Sequence, residues 1–282
     1  MESLTSNLVL AADASIDLQV HTTYSDGSWT PEQLIDYLLS EQFGLVAITD
    51  HDRVDSVASL QNLGAQRGLP VLAAVEMSTS WRGEATDVLC YGFIPGENSL
   101  HDLAQTVVRR QQEITQAVYV ELRRQGYSLP GEYGVNGGEP LHPNKLQLLL
   151  QQGGYSTGPG SIGKIITDAG FYFATNDIAD VVAAAHDSGA VCLIAHPGRG
   201  GEFTLYDADL LNELRQEVPI DGLEAYYPAH TPEQTAMYLN YAQKHNLLVS
   251  AGSDSHGPEK KPIKYRAELS RQLLERLGIK VH

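Results

Sequence analysis

Short, mostly apolar runs recur along the chain, and each ends in histidine or carboxylate side chains. Ile16–Val20 leads into His21-Thr22-Thr23-Tyr24-Ser25-Asp26-Gly27, Leu45–Thr49 into Asp50-His51-Asp52, and Val71–Val75 into Glu76. Val191–Ala195 leads into His196, and Leu247–Gly252 into Ser253-Asp254-Ser255-His256. Runs this short, bounded by polar loops, read as buried strands. Between them lie helical patterns. Thr30-Pro31-Glu32-Gln33 combines an N-cap, a proline at the first helical position and a capping-box glutamine, and Leu34, Ile35, Leu38 and Leu39 follow at helical spacing. Val54, Val57, Leu60 and Leu63 repeat that spacing up to Gly68. Apolar strands alternating with amphipathic helices predict an α/β fold whose parallel sheet is covered by helices. In such folds reactive groups gather at the carboxyl ends of the strands, where these polar residues stand.

The rhythm continues through a strand at Asp87–Phe93 and then breaks. A long polar helix is expected over Leu100–Gln125, a Gly- and Pro-rich stretch over Gly126–Gly160, and helices over Ser161–Ala169 and Ile178–Ser188. Residues 98–188 are therefore read as a mostly helical insertion, a cap, and residues 1–97 with 189–282 as the main domain. The alternation resumes with Val191–Ala195, a helix near Ala208–Val218 and the strand Leu223–Ala225. Thr231-Pro232-Glu233-Gln234 then repeats the earlier helix start, and a last helix is expected over Glu268–Leu277.

The formal charge of −16 speaks against gripping duplex nucleic acid, which needs many Lys and Arg side chains on phosphates. No apolar run approaches the roughly 20 residues of a membrane helix, and Met1–Ala14 lacks the basic-then-apolar order of a signal peptide, so a cytoplasmic protein without a membrane partner is expected. Cys90 and Cys192 lie in apolar runs, where a thiol behaves as a small buried hydrophobe. The oligomeric state is left open.

One histidine at a strand end is unremarkable, but His21, His51, His196 and His256 all stand there together with Asp26, Asp50, Glu76 and Asp254. Mixed imidazole and carboxylate suits Zn, Mn or Fe. A carboxylate can bridge two such ions so that they activate a shared water, and Glu76 is the nominated bridge. Ser25, Ser253 and Ser255 stand among these residues as hydrogen-bonding supports. No P-loop or dinucleotide-type glycine loop is present, and no Ser or Cys nucleophile with its own base is suggested.

Taken together, Asp17-Leu18-Gln19-Val20-His21-Thr22 with Ser25-Asp26-Gly27, Thr49-Asp50-His51-Asp52, Glu76-Met77-Ser78, Ala195-His196-Pro197-Gly198-Arg199 and Gly252-Ser253-Asp254-Ser255-His256-Gly257 resemble the PHP (polymerase and histidinol phosphatase) family. The branch of nucleoside 3′,5′-bisphosphate phosphatases and 5′-to-3′ exoribonucleases is the most similar. The resemblance implies a distorted (β/α)7 TIM-like barrel holding two or three divalent ions, Mn, Fe or Zn. Its implied ligands are His21, Asp26, His51, Glu76, His196, Asp254 and His256. Two positions depart from the family pattern: Gln19 replaces a histidine, and Asp87 stands where another is usual. Asp87 remains a competent ligand, so one metal position is expected to be weakened or empty, with a preference for Mn or Fe. Gly158-Pro159-Gly160-Ser161 replaces an Arg-Pro-His turn, which moves or removes a substrate contact.

The expected activity is hydrolysis of a phosphate monoester on a small, nucleotide-like substrate by a metal-held hydroxide. Glu76, His256, His230 and Arg199 are the candidate catalytic residues. Arg199 and His230 are also the phosphate contacts, joined by Lys264 from the basic run Lys260–Arg266, and Glu224 is a candidate orienting group. Two alternatives are a ligand-binding protein that keeps metal as structural cement with little turnover, and metal-assisted C–N hydrolysis. The latter calls for a metal-bridging lysine at a strand end, and none is found there.

Overall fold

The computed structural model describes residues 5, 7–129, 141–155, 161–201 and 203–282. The strands that carry the site are β1 (Ser15–Val20), β2 (Leu45–Ile48), β3 (Val71–Leu72), β4 (Ala74–Met77), β5 (Val88–Tyr91), β6 (Val191–Ile194), β7 (Gly222–Tyr226), β8 (Leu248–Ala251) and the short edge strand β9 (Tyr265–Arg266). Between them run α1 (Pro31–Ser40), α2 (Val57–Arg67), α3 (Ser99–Arg124), α4 (Pro143–Gln152), α5 (Ile162–Asp168), α6 (Ile178–Asp187), α7 (Ala208–Glu217), α8 (Pro232–His245) and α9 (Arg271–Arg276).

The ladders of these strands form the two larger sheets, β9-β1-β2-β3 and β8-β7-β6-β5-β4. β1, β2 and β3 run parallel, as do β6, β7 and β8. β5 departs from the expected parallel order: it is antiparallel to both β4 and β6. Reversal has a useful consequence. Met77 and Ile194, at the ends of β4 and β6, both pair with Val88 at the start of β5, so Asp87 precedes its strand yet lies at the same edge as Glu76 and His196.

Apolar residues on both faces of the strands have separate destinations. Leu89 and Tyr91 of β5 and Leu193 of β6 pack with Ile16, Leu18, Leu45 and Ala47 of the other sheet. Their neighbours Val88, Cys90, Cys192 and Ile194 pack with Val181 and Ala185 of α6. Val20, Val46 and Ile48 meet Leu34, Ile35 and Leu38 of α1. Each such leucine or isoleucine contributes about 1.5–3 kcal/mol through burial, which explains strands that are apolar throughout rather than alternating. Cys90 and Cys192 are free, buried thiols with Sγ atoms 3.9 Å apart.

Both anticipated capping boxes form. Thr30 and Gln33 close the start of α1 reciprocally, as Thr231 and Gln234 do for α8. The chain divides into two compact units, Met1–Ala104 with Asn176–His282, and Gln105–Thr175. The second has its own core, including Tyr119, Leu122, Leu146, Leu150 and Ile166. Its α4 lies in the Gly- and Pro-rich stretch; Pro143 at the start and Leu146, Leu149 and Leu150 at helical spacing account for it. Of the turn Gly158-Pro159-Gly160-Ser161, only Ser161 lies among the described residues, and its side chain caps α5. Among the described residues no helix is long and apolar enough to cross a membrane.

Candidate metal centre

Glu76, the penultimate residue of β4, is fully buried and is the hub of the site. Its Oε1 lies 3.0 Å from His196 Nε2, and its Oε2 lies 3.1 Å from His21 Nε2 and 3.8 Å from His51 Nε2. His21 Nε2 is also 3.3 Å from Asp254 Oδ1, and His256 Nε2 is 3.2 Å from Asp26 Oδ2. His196 Nε2 is 3.9 Å from Asp87 Oδ2. Every implied ligand thus reaches one small volume at the strand ends.

Three groups of donor atoms, each lying within 4.8 Å of one another, share members: His21, Asp26, His51 and His256; His21, Glu76 and Asp254; His51, Glu76 and Asp87. Glu76, His21 and His51 each belong to two groups. The imidazole of His21 stacks on those of His51 and His256 with ring centroids 4.8 and 4.2 Å away. Neither ring nitrogen of His21, nor Nδ1 of His51, makes an aligned hydrogen bond, although all are buried. Close but misaligned approaches of imidazole nitrogens to carboxylate oxygens are what lone pairs aimed at a common cation produce.

Electrostatics agree with that arrangement. Burial disfavours a charge on His51, but the Glu76 and Asp26 carboxylates push its pKa up to about 9. Burial also opposes charging of His21, yet Asp254 and Glu76 hold it well above the ordinary imidazole range. Glu76, despite its burial, is held well below the usual carboxylate range by His51, His196 and His21. Asp87 moves the other way, to about 7, through burial and the nearby Glu76 charge. A concentrated negative site that draws protons onto its imidazoles is also one that divalent cations neutralise. The residues present therefore fit such ions.

The backbone around the ligands is tightly specified. His196 and Asp254 adopt φ of 30° and 53°, a region that side-chain-bearing residues enter at a cost. The N–H of His196 donates to buried Glu224 Oε2 at 3.0 Å, consistent with an orienting role for Glu224. Ser253 N–H donates to Asp17 Oδ1 at 2.9 Å and Asp254 N–H to the Gln19 carbonyl at 2.9 Å. Asp50 accepts from Thr22 N–H, Thr22 Oγ1 and Ser25 Oγ, each at 2.7 Å, and so braces the loop bearing His21 and Asp26. Gln19 points its Nε2 at Glu76 Oε2, 3.0 Å away. A Cβ on Gly252 would come within 2.4 Å of both Gln19 Cβ and Glu224 Oε1, so only glycine fits between these groups.

Two of the candidate phosphate contacts, His230 and Lys264, have other partners in the structure. His230 Nδ1 bonds the Ala225 carbonyl at 3.1 Å and its Nε2 accepts the Gly198 N–H at 3.0 Å, so both ring nitrogens are committed to backbone. Burial also lowers its pKa. His230 therefore shapes the loop of His196-Pro197-Gly198-Arg199, with its Nδ1 proton engaged by the Ala225 carbonyl. Lys264 pairs with exposed Glu41 at 2.9 Å instead of reaching the centre. Within the same run Lys260 takes that place, with Nζ 3.4 Å from Asp254 Oδ2. Arg199 does border the site, with Nη1 4.0 Å from the same oxygen and its guanidinium 4.4 Å from the Phe203 ring centroid. Sequence reasoning also passed over Tyr227, whose hydroxyl donates to Asp254 Oδ2 at 3.3 Å; its position shortly after β7 was the available signal.

Comparison with known proteins follows the same lines. The PHP domain matches residues 17–218. The chain is 26% identical to a 3′,5′-nucleoside bisphosphate phosphatase of Chromobacterium violaceum, across 87% of this chain and 88% of the relative. It is 28% identical to a phosphoribosyl 1,2-cyclic phosphate 1,2-diphosphodiesterase of Eggerthella lenta, across 86% and 94%. A solved structure from Bifidobacterium adolescentis, assigned to the metal-dependent phosphoesterases, shares the fold with a TM-score of 0.77 and 21% identity, covering 93% of this chain and 96% of that one.

Proposed function

Because this chain belongs to the PHP domain family, we propose that it is a metal-dependent phosphoesterase that removes a phosphoryl group from a small, nucleotide-like monoester. The observation that carries the reading is the gathering of His21, Asp26, His51, Glu76, Asp87, His196, Asp254 and His256 around one shared carboxylate. His21, Asp26, His51 and His256 would hold one divalent ion, and Glu76, with Asp254 on one side and Asp87 on the other, would join it to its neighbours. Mn, Fe and Zn all accept this donor set. When bound, such ions supply Lewis-acid activation of water and neutralise the charge that builds up on phosphorus oxygens.

The protein's own groups have distinct tasks. Arg199 offers a guanidinium fork to phosphoryl oxygens at the edge of the cluster. Glu224 and Asp17 hold the backbone of His196 and Ser253, so the ligands keep their positions as charge moves. His256 bonds the Asp254 carbonyl through Nδ1, which leaves Nε2 facing Asp26 as a donor atom for metal. With His230 committed to backbone as well, the leaving oxygen takes its proton from solvent.

The reading extends to architecture. The two sheets are proposed to be parts of one distorted (β/α)7 barrel. Two pairs of backbone bonds support this: His21 N–H to the Ser255 carbonyl (2.8 Å) with Asp254 N–H to the Gln19 carbonyl (2.9 Å), and Glu76 N–H to the Thr49 carbonyl (3.2 Å) with Asp52 N–H to the Glu76 carbonyl (2.9 Å).

Release of inorganic phosphate from a nucleoside 3′,5′-bisphosphate, with and without added manganese, tests the reading. Glu76→Ala and His196→Ala are each expected to lower turnover more than about 100-fold, beyond the effect of removing a supporting hydrogen bond. Wild-type turnover in either variant, or in chelator-stripped protein, refutes it. Ligand-induced thermal stabilisation without any turnover would favour a binding protein instead.

A further inference from the structure

Lys260 stands apart from the other cations of its run. Lys261 lies over the Tyr37 ring, Lys264 pairs with Glu41, and Arg266 pairs with Glu268 at 3.0 Å. Lys260 alone among these reaches the cluster, and its backbone is pinned there. Its N–H donates to the Gly257 carbonyl at 3.1 Å and its own carbonyl accepts the Ser255 hydroxyl. Ser255 lies between the ligands Asp254 and His256, so the Cα of Lys260 is tied to the ligand-bearing loop itself.

The environment of its ammonium is equally specific. Asp254 directs Oδ1 at His21, while its Oδ2 takes the Tyr227 hydroxyl at 3.3 Å and lies 3.4 Å from Lys260 Nζ and 4.0 Å from Arg199 Nη1. Nζ also sits 5.6 Å from the centroid of the Tyr227 ring. An ammonium has three N–H donors, and the single long contact to Asp254 occupies one. The lysine side chain is 48% exposed, so the others are open to solvent. Two cations thus border the cluster at one carboxylate oxygen, in a chain whose net charge is −16.

We propose that Lys260 is a specificity-determining residue that makes the site favour dianionic phosphate monoesters over monoanionic diesters. The inference rests on the phosphoesterase reading. Its chemical basis is charge. A monoester carries close to two negative charges at neutral pH and presents an unesterified oxygen to a second cation, whereas a diester carries one charge and has esterified that oxygen. Arg199 alone would serve either ester; Arg199 with Lys260 rewards the additional charge.

The test compares p-nitrophenyl phosphate with bis(p-nitrophenyl) phosphate on the manganese-loaded protein, with the metal content of every variant measured. Lys260→Met is expected to reduce the monoester-to-diester ratio of kcat/KM about 10-fold or more, the usual effect of losing a hydrogen bond to a charged group. Lys260→Arg should restore most of it, and bound manganese should match wild type in both. A ratio within about 3-fold of wild type in Lys260→Met, smaller than one such bond, overturns the role of Lys260 and leaves the phosphoesterase reading standing. A loss of metal from Lys260→Met that accounts for its kinetic change also overturns it, because the lysine would then act only through Asp254. Wild-type protein that turns over neither ester defeats the phosphoesterase reading, and this inference with it.

Discussion

Asp17 illustrates how a single residue without a place in the ligand set can govern the site. It is fully buried in β1, and its carboxylate accepts backbone N–H groups from Ser253 (2.9 Å), Ile263 (2.9 Å) and Gln19 (3.3 Å). Three such bonds stabilise the charged form, but burial outweighs them and raises the pKa from 3.8 to about 7. Across that window the folded chain binds a proton that the unfolded chain has released, so the stability contributed here falls as pH rises towards about 7 and then levels off. Asp17→Asn has no such proton. The stability of wild type relative to Asp17→Asn should therefore fall by on the order of 3 kcal/mol between pH 5 and 8. Urea unfolding at several pH values, with chelator present to exclude metal binding, measures this directly. A difference that stays flat between pH 5 and 8, and rises with pH only below about 5, would mean that the three N–H groups win over burial. The ligands were legible in the sequence because each histidine or carboxylate follows an apolar run. Asp17 stands in the sequence only as part of the first motif, since nothing local reveals that two of its three partners, Ser253 and Ile263, lie more than 200 residues away.

At the scale of elements, α8 is coupled to the Arg199 loop through one side chain. Gln234 Oε1 accepts the Thr231 N–H at 2.9 Å as half of the capping box, while its Nε2 donates to the Gly198 carbonyl at 3.1 Å. Gly198 is equally constrained, since a Cβ there would come within 2.7 Å of His230. Gln234→Ala removes both bonds and should cost about 1 kcal/mol of stability. It should also raise KM about 3-fold or more by loosening the loop that positions Arg199, with a smaller effect on kcat. Gln234→Glu keeps the cap acceptor and loses the donor to Gly198, so stability should recover while KM stays high. Thermal unfolding with steady-state kinetics on the two variants separates these effects; recovery of both quantities in Gln234→Glu would show that the helix end alone matters. Capping chemistry of this kind is readable from the chain, and both boxes were expected. Strand direction is not: the apolar run Val88–Tyr91 has the same pattern either way round, and only pairing reveals that β5 is reversed. Nor does a basic run disclose which lysine turns inward, which depends on the tight turn between Gly257 and Lys260.

For the whole molecule, the decisive fact is that the candidate ligands come from both sheets and from far-separated parts of the chain. His21, Asp26 and His51 follow β1 and β2, whereas Glu76, Asp87, His196, Asp254 and His256 border β4, β5, β6 and β8. Unfolding scatters this set, so the cations bind the folded chain alone and add their binding free energy to its stability. Each site filled at 100 times its dissociation constant contributes about 2.7 kcal/mol. With about 2–4 °C per kcal/mol for chains of 150–250 residues, manganese should raise Tm by several degrees, and a chelator should reverse the shift. Glu76→Ala should abolish most of the response, because Glu76 belongs to two of the three donor groups. The donor groups all lie in the unit formed by Met1–Ala104 and Asn176–His282, while Gln105–Thr175 contributes none of their members and has a separate core. Metal-induced protection against hydrogen exchange should therefore be largest in the segments around His21, His51, Glu76, His196 and Asp254, with far less change in α4 and α5. Uniform protection across both units would show that they unfold as one cooperative body. An unchanged Tm with manganese at saturating concentration would mean that the clustered imidazoles and carboxylates do not bind it.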